Sequence, residues 1–144
     1  MGFFDFVKTV GKKLLGGSEA QAAPAAELSK EVASHGFDAG SLNIATTGNT
    51  VSLGGTVKSQ EEAERIILAL GNTVGVHQVD TSQLIVTQAA PEARMYTVVK
   101  GDTLWKISEH FYGKGADYPK IVAANNPPIT NPDLIQPGWV LRIP

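Results

Sequence analysis

The sequence contains few side chains whose type and spacing suit catalysis or metal binding. There is no cysteine, so no thiolate can act as a nucleophile or as a zinc ligand. The histidines lie in three different segments, at His35, His77 and His110. They do not form a metal-binding spacing such as His-x-x-x-His, and no Gly-Lys-Ser/Thr phosphate loop is present. Glutamates 61, 62 and 64 open a predicted helix, where carboxylates favour the positive end of the helix dipole. We therefore expect a protein that is not an enzyme.

The charge of the chain excludes several classes of partner. With 12 basic and 14 acidic residues among 144, the net charge of −2 argues against nucleic acid, which needs a basic surface. No apolar run reaches the roughly 18 residues that cross a bilayer, so we expect no stable membrane insertion. Residues 27–87 carry seven acidic and three basic residues, which opposes binding to anionic lipids.

Residues 1–15 have the pattern of a short amphipathic helix. Apolar side chains recur at helical spacing, at Phe3, Phe6, Val7, Val10 and Leu14. Such a helix either packs on its own domain or lies on a membrane surface. Its basic residues follow the apolar ones, the reverse of a secretory signal, so we predict a cytoplasmic protein. Residues 16–26 are small and polar and are predicted to form a tether, which completes a first segment, 1–26.

Residues 27–87 alternate between helix and strand patterns in the order α-β-β-α-β. The first two strands are separated by Gly48-Asn49, a hairpin signal. Ser59 and Glu62 form a capping box at the start of the most regular helix pattern in the chain. A compact layer of helices on one face of a small sheet is the expected result.

A second domain follows a short linker. Residues 88–95 are again small and polar and are predicted to link the two domains. Residues 96–144 give the order β-α-α-β, with a proline-rich loop before the last strand. We therefore predict an α+β fold of two small domains, preceded by an amphipathic helix.

These patterns resemble two known families. The motif YTVVKGDTLWKIS, the Asn-Pro after the second helix and the ending PGWVLRIP resemble a LysM domain. Residues 27–87 resemble a BON domain through VSLGGTVKSQEEAERIILAL and the following VGVHQVD. One BON domain followed by one LysM domain resembles a family of small bacterial potassium-binding proteins.

The LysM resemblance implies a groove for glycans that contain N-acetylglucosamine. The groove would lie between the loop after the first strand and the loop before the last. Its residues would be Gly101, Asp102, Thr103, Leu104, Asn126, Pro127 and Ile129. The alternative is that Asp102 or Thr103 caps one helix and that Pro127 ends the other.

The overall resemblance implies potassium as the ligand and the one cofactor. Potassium sites use neutral oxygens, chiefly backbone carbonyls, and carbonyls lack partners at helix C-termini. The ends of the N-terminal helix and of the helix near residue 70 meet this need. The predicted carbonyl ligands are Val7, Val10, Gly71, Thr73 and Gly75. The alternative is an ordinary helix-to-strand turn. A Gly75→Val change is expected to abolish binding and leave the fold intact.

The sequence thus predicts a monomeric, cytoplasmic potassium-binding protein, a sensor or buffer that becomes more compact or ordered on binding. The alternative is an envelope-associated adaptor that binds peptidoglycan through LysM and membrane through BON. A third hypothesis is a cytosolic protein-interaction module.

Overall fold

The first domain is a sheet covered by helices on one face. The computed structural model describes residues 2–125, 129 and 131–144. The strands of the sheet are β1 (Phe3–Asp5), β2 (Leu42–Thr47), β3 (Thr50–Ser59), β4 (Gln78–Asp80) and β5 (Leu84–Gln88). The helices are α1 (Ala25–Ser34) and α2 (Gln60–Gly71). The predicted order α-β-β-α-β is confirmed, with the last strand divided into β4 and β5.

Strand β3 is the centre of this sheet. It pairs antiparallel with β2 on one edge and parallel with β4 and β5 on the other, while β1 pairs antiparallel with β4. The predicted turn at Gly48-Asn49 joins β2 to β3, with Gly48 at φ +60°. The Ser59 hydroxyl accepts a 3.1 Å hydrogen bond from the Glu62 amide and so caps α2, as predicted.

The predicted N-terminal helix is wrong. Residues 3–5 form β1, and the chain then runs as a loop along residues 72–77. The Phe6 side chain is buried in the core, where its ring lies against Gly71, and Phe4 packs against the same core. The peptide groups of this segment bond to the loop beside it, so the bonds that a helix would make within itself are replaced.

The predicted tether at 16–26 is also wrong, because this segment is docked. Ala22 and Ala23 are buried in the first core, and the Ala22 amide donates to the Gly48 carbonyl at 2.8 Å. Helix α1 begins at Ala25, inside the predicted tether. The small side chains allow close packing instead of mobility.

The second domain has the predicted order β-α-α-β. Its elements are β6 (Arg94–Thr97), α3 (Leu104–Tyr112), α4 (Tyr118–Ala124) and β7 (Val140–Ile143). Strands β6 and β7 pair antiparallel, and a small apolar core lies between them and the helices. Gly113 ends α3 in the left-handed conformation, at φ +76°.

The two domains are docked on each other. Val140 of β7 belongs to the core of the first domain, and the Asn72 side chain bonds to both peptide groups of Val140. The Arg142 Nε lies 2.6 Å from a carboxylate oxygen of Glu64, which is fully buried. The stretch between β5 and β6 is tied as well, because the Ala93 amide donates to Glu64 at 2.8 Å.

Candidate functional site

Two loops that carry the predicted carbonyl ligands lie side by side. We call residues 6–12 the N-terminal loop and residues 71–77 the α2–β4 loop. Four backbone hydrogen bonds join them: Phe6 N–H to His77 O at 2.7 Å, Gly75 N–H to Lys8 O at 2.8 Å, Lys12 N–H to Asn72 O at 2.9 Å and Val74 N–H to Lys12 O at 3.0 Å. The structure therefore brings the two segments together through backbone pairing, without an N-terminal helix.

The predicted carbonyl ligands differ in the hydrogen bonds that they already accept. Within the described residues, the carbonyls of Val10 and Gly71 accept no backbone hydrogen bond. Those of Val7 and Thr73 accept one long bond each, at 3.3 Å, within their own turns. Gly71 is the last residue of α2, so its carbonyl lies at the negative end of the helix dipole. These oxygens retain capacity for a cation.

Gly75 is more constrained than the sequence indicates. Its carbonyl accepts a 2.6 Å hydrogen bond from the Asn49 side chain, which orients it. Its φ is +98°, and a Cβ there would overlap the backbone carbonyls of Ser18 and Gln21. The expectation that Gly75→Val leaves the fold intact is therefore wrong, and this variant is not a clean probe of ion binding.

A buried carboxylate braces the N-terminal loop, and sequence reasoning missed it. Glu31 of α1 is buried, with one oxygen 2.7 Å from the Lys12 Nζ and the other 2.9 Å from the His35 Nε2. Burial by itself raises the pKa of Glu31, but the hydrogen bonds and charges of Lys12 and His35 lower that pKa below its usual value overall. Glu31 and His35 have the i, i+4 spacing of one helix face, but no local signal links them to Lys12.

A cleft of about 580 Å³ opens at this point between the two domains. Lys12, Glu31 and His35 line it on the side of the first domain, and Gln136 and Trp139 line it on the side of the second. The N-terminal loop is therefore reached by solvent along the domain boundary.

The second domain has a small cavity where the resemblance implies a glycan groove. The cavity measures about 200 Å³. Asp102, Thr103 and Leu104 line one side, and Pro132 and Asp133 line the other. Three of the predicted groove residues therefore share this cavity.

Two of these predicted residues, Asp102 and Thr103, make hydrogen bonds that stabilise the fold. The Thr103 hydroxyl caps α3 by accepting from the Lys106 amide at 3.1 Å. The Asp102 carboxylate accepts from the Tyr96 hydroxyl at 2.6 Å and from the Val99 amide at 2.9 Å. The hydrogen bond to Asp102 raises the pKa of Tyr96 to about 12, with burial as the second cause. The alternative that Thr103 caps a helix is confirmed.

Two more of the predicted groove residues, Gly101 and Ile129, do not line this cavity. Ile129 belongs to the apolar core of the second domain and is only 1% exposed, so its assignment to a ligand groove is wrong. Gly101 is exposed in the turn before α3. Asn126 and Pro127 lie outside the described residues.

The described part of the chain has no cluster of side chains that could hold a metal ion. No three histidine, aspartate or glutamate side chains are clustered there as a metal site. Among the helices that the structure describes, none has the length and apolar character needed to cross a membrane.

The two halves of the chain match two family models. A BON domain matches residues 21–88, and a LysM domain matches residues 96–144. The fold and the matches define a protein in which one BON domain precedes one LysM domain, so both resemblances are confirmed.

The relatives narrow this class to one family. The chain is 38% identical over 148 residues to the potassium binding protein Kbp of Escherichia coli O6:H1, a match that covers 100% of this chain and 99% of Kbp. The chain belongs to the Kbp family. An uncharacterised protein of Deinococcus radiodurans is 42% identical over 113 residues, which are 72% of this chain and 44% of that protein.

The chain is not an enzyme, because BON and LysM domains are non-enzymatic binding domains. An esterase of Mycobacterium tuberculosis is 45% identical over 53 residues, but these are only 11% of the esterase and 37% of this chain. That match is short and partial, so it does not carry the esterase activity to this chain.

Proposed function

We propose that the chain binds potassium ion through backbone carbonyls where the N-terminal loop meets the α2–β4 loop. The observation that carries the proposal is this pairing of two loops at the C-terminus of α2, with the carbonyls of Val10 and Gly71 free of backbone donors among the described residues. The name of the full-length relative, potassium binding protein Kbp, supports the same ligand. The five proposed ligands are the carbonyls of Val7, Val10, Gly71, Thr73 and Gly75.

The chemistry of the oxygens favours a monovalent ion. Calcium and magnesium sites use carboxylates, whereas potassium is held by neutral carbonyls that replace its hydration shell. The carboxylate braced against the N-terminal loop, Glu31, is already engaged by Lys12 and His35. A neutral oxygen set is what the two loops offer.

A site built from two segments couples binding to order. The ion is bound only while the N-terminal loop is docked, so it stabilises the docked form by mass action. At an ion concentration one hundred times the Kd, this amounts to about 2.7 kcal/mol. For a chain of this size the melting temperature then rises by about 5 to 11 °C. We propose that the protein acts as a monomeric cytoplasmic sensor or buffer that becomes more compact when loaded.

Thermal unfolding in different salts tests the proposal. The melting temperature is measured in potassium, sodium and N-methyl-glucamine chlorides at equal ionic strength. A rise that saturates with potassium alone supports the site. Identical curves in the three salts contradict it. Small-angle scattering with and without potassium tests compaction and monomeric state, and cell fractionation tests the compartment.

A pair of phenylalanine variants tests the position of the site. Phe6 is 4% exposed and holds the N-terminal loop on α2, whereas Phe3, three residues earlier in the chain, is 63% exposed. Phe6→Ala is expected to lose the potassium-dependent rise in melting temperature, and Phe3→Ala is expected to keep it. An unchanged rise in Phe6→Ala would place the ion elsewhere in the molecule.

Glycan binding by the second domain is the second candidate function. Trp105, which lines the 200 Å³ cavity with Asp102, is 52% exposed, and such an aromatic face can stack on a sugar ring. A peptidoglycan adaptor would bind N-acetylglucosamine oligomers and lose that binding in Trp105→Ala. Titration with chitin oligomers and with anionic liposomes separates this adaptor from the potassium sensor.

A further inference from the structure

We propose that Glu31 is a positioning residue for ion binding, since its buried carboxylate fixes Lys12 and, through Lys12, the α2–β4 loop. This inference rests on the proposed function. It adds a side chain of α1 to a site whose proposed ligands are all backbone carbonyls of other segments.

The Lys12 backbone connects the N-terminal loop to the α2–β4 loop by two hydrogen bonds. Its amide donates to the Asn72 carbonyl at 2.9 Å, and its own carbonyl accepts from the Val74 amide at 3.0 Å. Asn72 and Val74 alternate along the chain with Gly71 and Thr73, two of the proposed ligands. The Val74 amide and the Thr73 carbonyl belong to one peptide group, and the Asn72 carbonyl belongs to the group next to that of the Gly71 carbonyl. A shift of the Lys12 backbone therefore moves the Thr73 carbonyl directly and the Gly71 carbonyl through one intervening residue.

The Glu31 carboxylate fixes the side chain of Lys12. The Lys12 Nζ lies 2.7 Å from Glu31 Oε1, although more than half of the lysine side chain is exposed. The His35 Nε2, 2.9 Å from the second oxygen, keeps the carboxylate in place. A charge-assisted bond to a carboxylate buried on a helix is a firmer anchor than a surface ion pair.

The carboxylate also removes an electrostatic conflict. Lys12 puts a positive charge on the loop that is proposed to bind a cation, and like charges weaken each other's binding. Glu31 neutralises the ammonium at close range. Loss of the Glu31 charge is therefore expected to weaken potassium binding for two reasons. The N-terminal loop is held less firmly, and the positive charge of Lys12 is no longer neutralised near the ion.

Two glutamate variants on the same helix provide the test. Glu31→Gln keeps the shape of the side chain and removes its charge. Glu27→Gln is the matched control, because among the described residues the Glu27 side chain pairs only with the exposed Lys30, at 3.2 Å. Potassium is titrated at constant ionic strength. The Kd of Glu31→Gln is expected to rise about tenfold, as for loss of a charge-assisted hydrogen bond, and that of Glu27→Gln to stay within about twofold. Equal Kd values for the two variants overturn the inference.

A double-mutant cycle shows whether Glu31 acts through Lys12. In a Lys12→Met background, Glu31→Gln is expected to change the Kd by less than about twofold, because the partner has gone. A purely structural role of Glu31 gives the same loss in both backgrounds, and this result also overturns the inference.

A measurement on the unmodified protein remains decisive if Glu31 variants fail to fold. Binding and ionisation are reciprocal, so a tenfold dependence of the Kd on the Glu31 charge requires potassium to lower the pKa of Glu31 by about 1. Carbon NMR of the Glu31 carboxyl, in potassium and in sodium, measures this pKa. Equal pKa values overturn the inference while a potassium-dependent melting temperature leaves the proposed function standing. Absence of any potassium effect on the unmodified protein overturns both.

Discussion

Replacement of Asn72 by alanine is expected to separate the two domains. The Asn72 side chain is buried at the end of α2, where its Nδ2 donates to the Val140 carbonyl and its Oδ1 accepts from the Val140 amide, both at 2.9 Å. Alanine removes both partners and leaves two buried peptide groups of β7 unsatisfied. At about 1–3 kcal/mol for each group, the loss is about 2 to 6 kcal/mol.

Access of water to the separated domains reduces the expected loss of stability to the lower part of this range. If the domains part, water reaches the peptide groups of Val140 and restores some of the lost hydrogen bonding, so we expect about 2–3 kcal/mol. For a chain of this length, the melting temperature then falls by about 4 to 12 °C.

Two optical probes distinguish separation of the domains from general destabilisation. Both tryptophans, Trp105 and Trp139, lie in the second domain, so their fluorescence reports on that domain, whereas far-ultraviolet circular dichroism reports on both domains. The unmodified protein is expected to show coincident transitions. In Asn72→Ala the fluorescence transition is expected at a lower temperature than the dichroism transition.

The control for this variant is Asn43→Ala, at an exposed position of β2, which is expected to melt like the unmodified protein. Coincident transitions at an unchanged temperature in Asn72→Ala would refute the reasoning. They would mean that domain docking does not depend on the two bonds to Val140.

Two further predictions concern buried charge and pH. Glu64→Gln leaves the Arg142 guanidinium, bound at 2.6 Å and mostly buried, without its counter-charge, so urea unfolding is expected to show a loss of about 3–5 kcal/mol. Replacing both residues by apolar ones is expected to restore much of this loss, and an unaltered stability in Glu64→Gln would contradict the assignment. The hydrogen bond to Asp102 raises the pKa of Tyr96 to about 12, above its usual value of about 10, so the stability it contributes is complete below pH 10 and is lost as the pH rises through about 12. Asp102→Asn is expected to bring the NMR titration of the Tyr96 ring back toward about 10, and a titration that does not move would exclude Asp102 as the cause.

The proposed ion site shows how far sequence reasoning reaches. The end of α2 at Gly71 follows from a glycine after an amphipathic run, and a helix end is a local source of free carbonyls. The pairing of this end with the N-terminal loop is not local, because Phe6 and His77 are 71 residues apart in the chain. The helical spacing of apolar residues favoured a helix for the N-terminal loop. This pattern does not show that β4 and the α2–β4 loop offer hydrogen bonds that replace those within a helix.

Glu31 and Glu64 could not be singled out from the sequence for the same reason. Each glutamate lies in an ordinary helical run. In the fold each is buried and paired with a basic residue from a distant segment, Lys12 in one case and Arg142 in the other. The predicted groove residue Ile129 shows the converse error, in which a residue placed on a surface loop lies in the core.

Short-range sequence patterns account for the elements whose causes are local. The Gly48-Asn49 turn, the caps of α2 and α3 at Ser59 and Thr103, and the order of helices and strands all depend on residues within a few positions of each other. The course of the N-terminal loop, the docking of residues 16–24 and the contact between the domains depend instead on long-range contacts in the folded chain. These depend on backbone groups and charges that chain folding brings together from distant positions, and neither propensity nor periodicity contains that information.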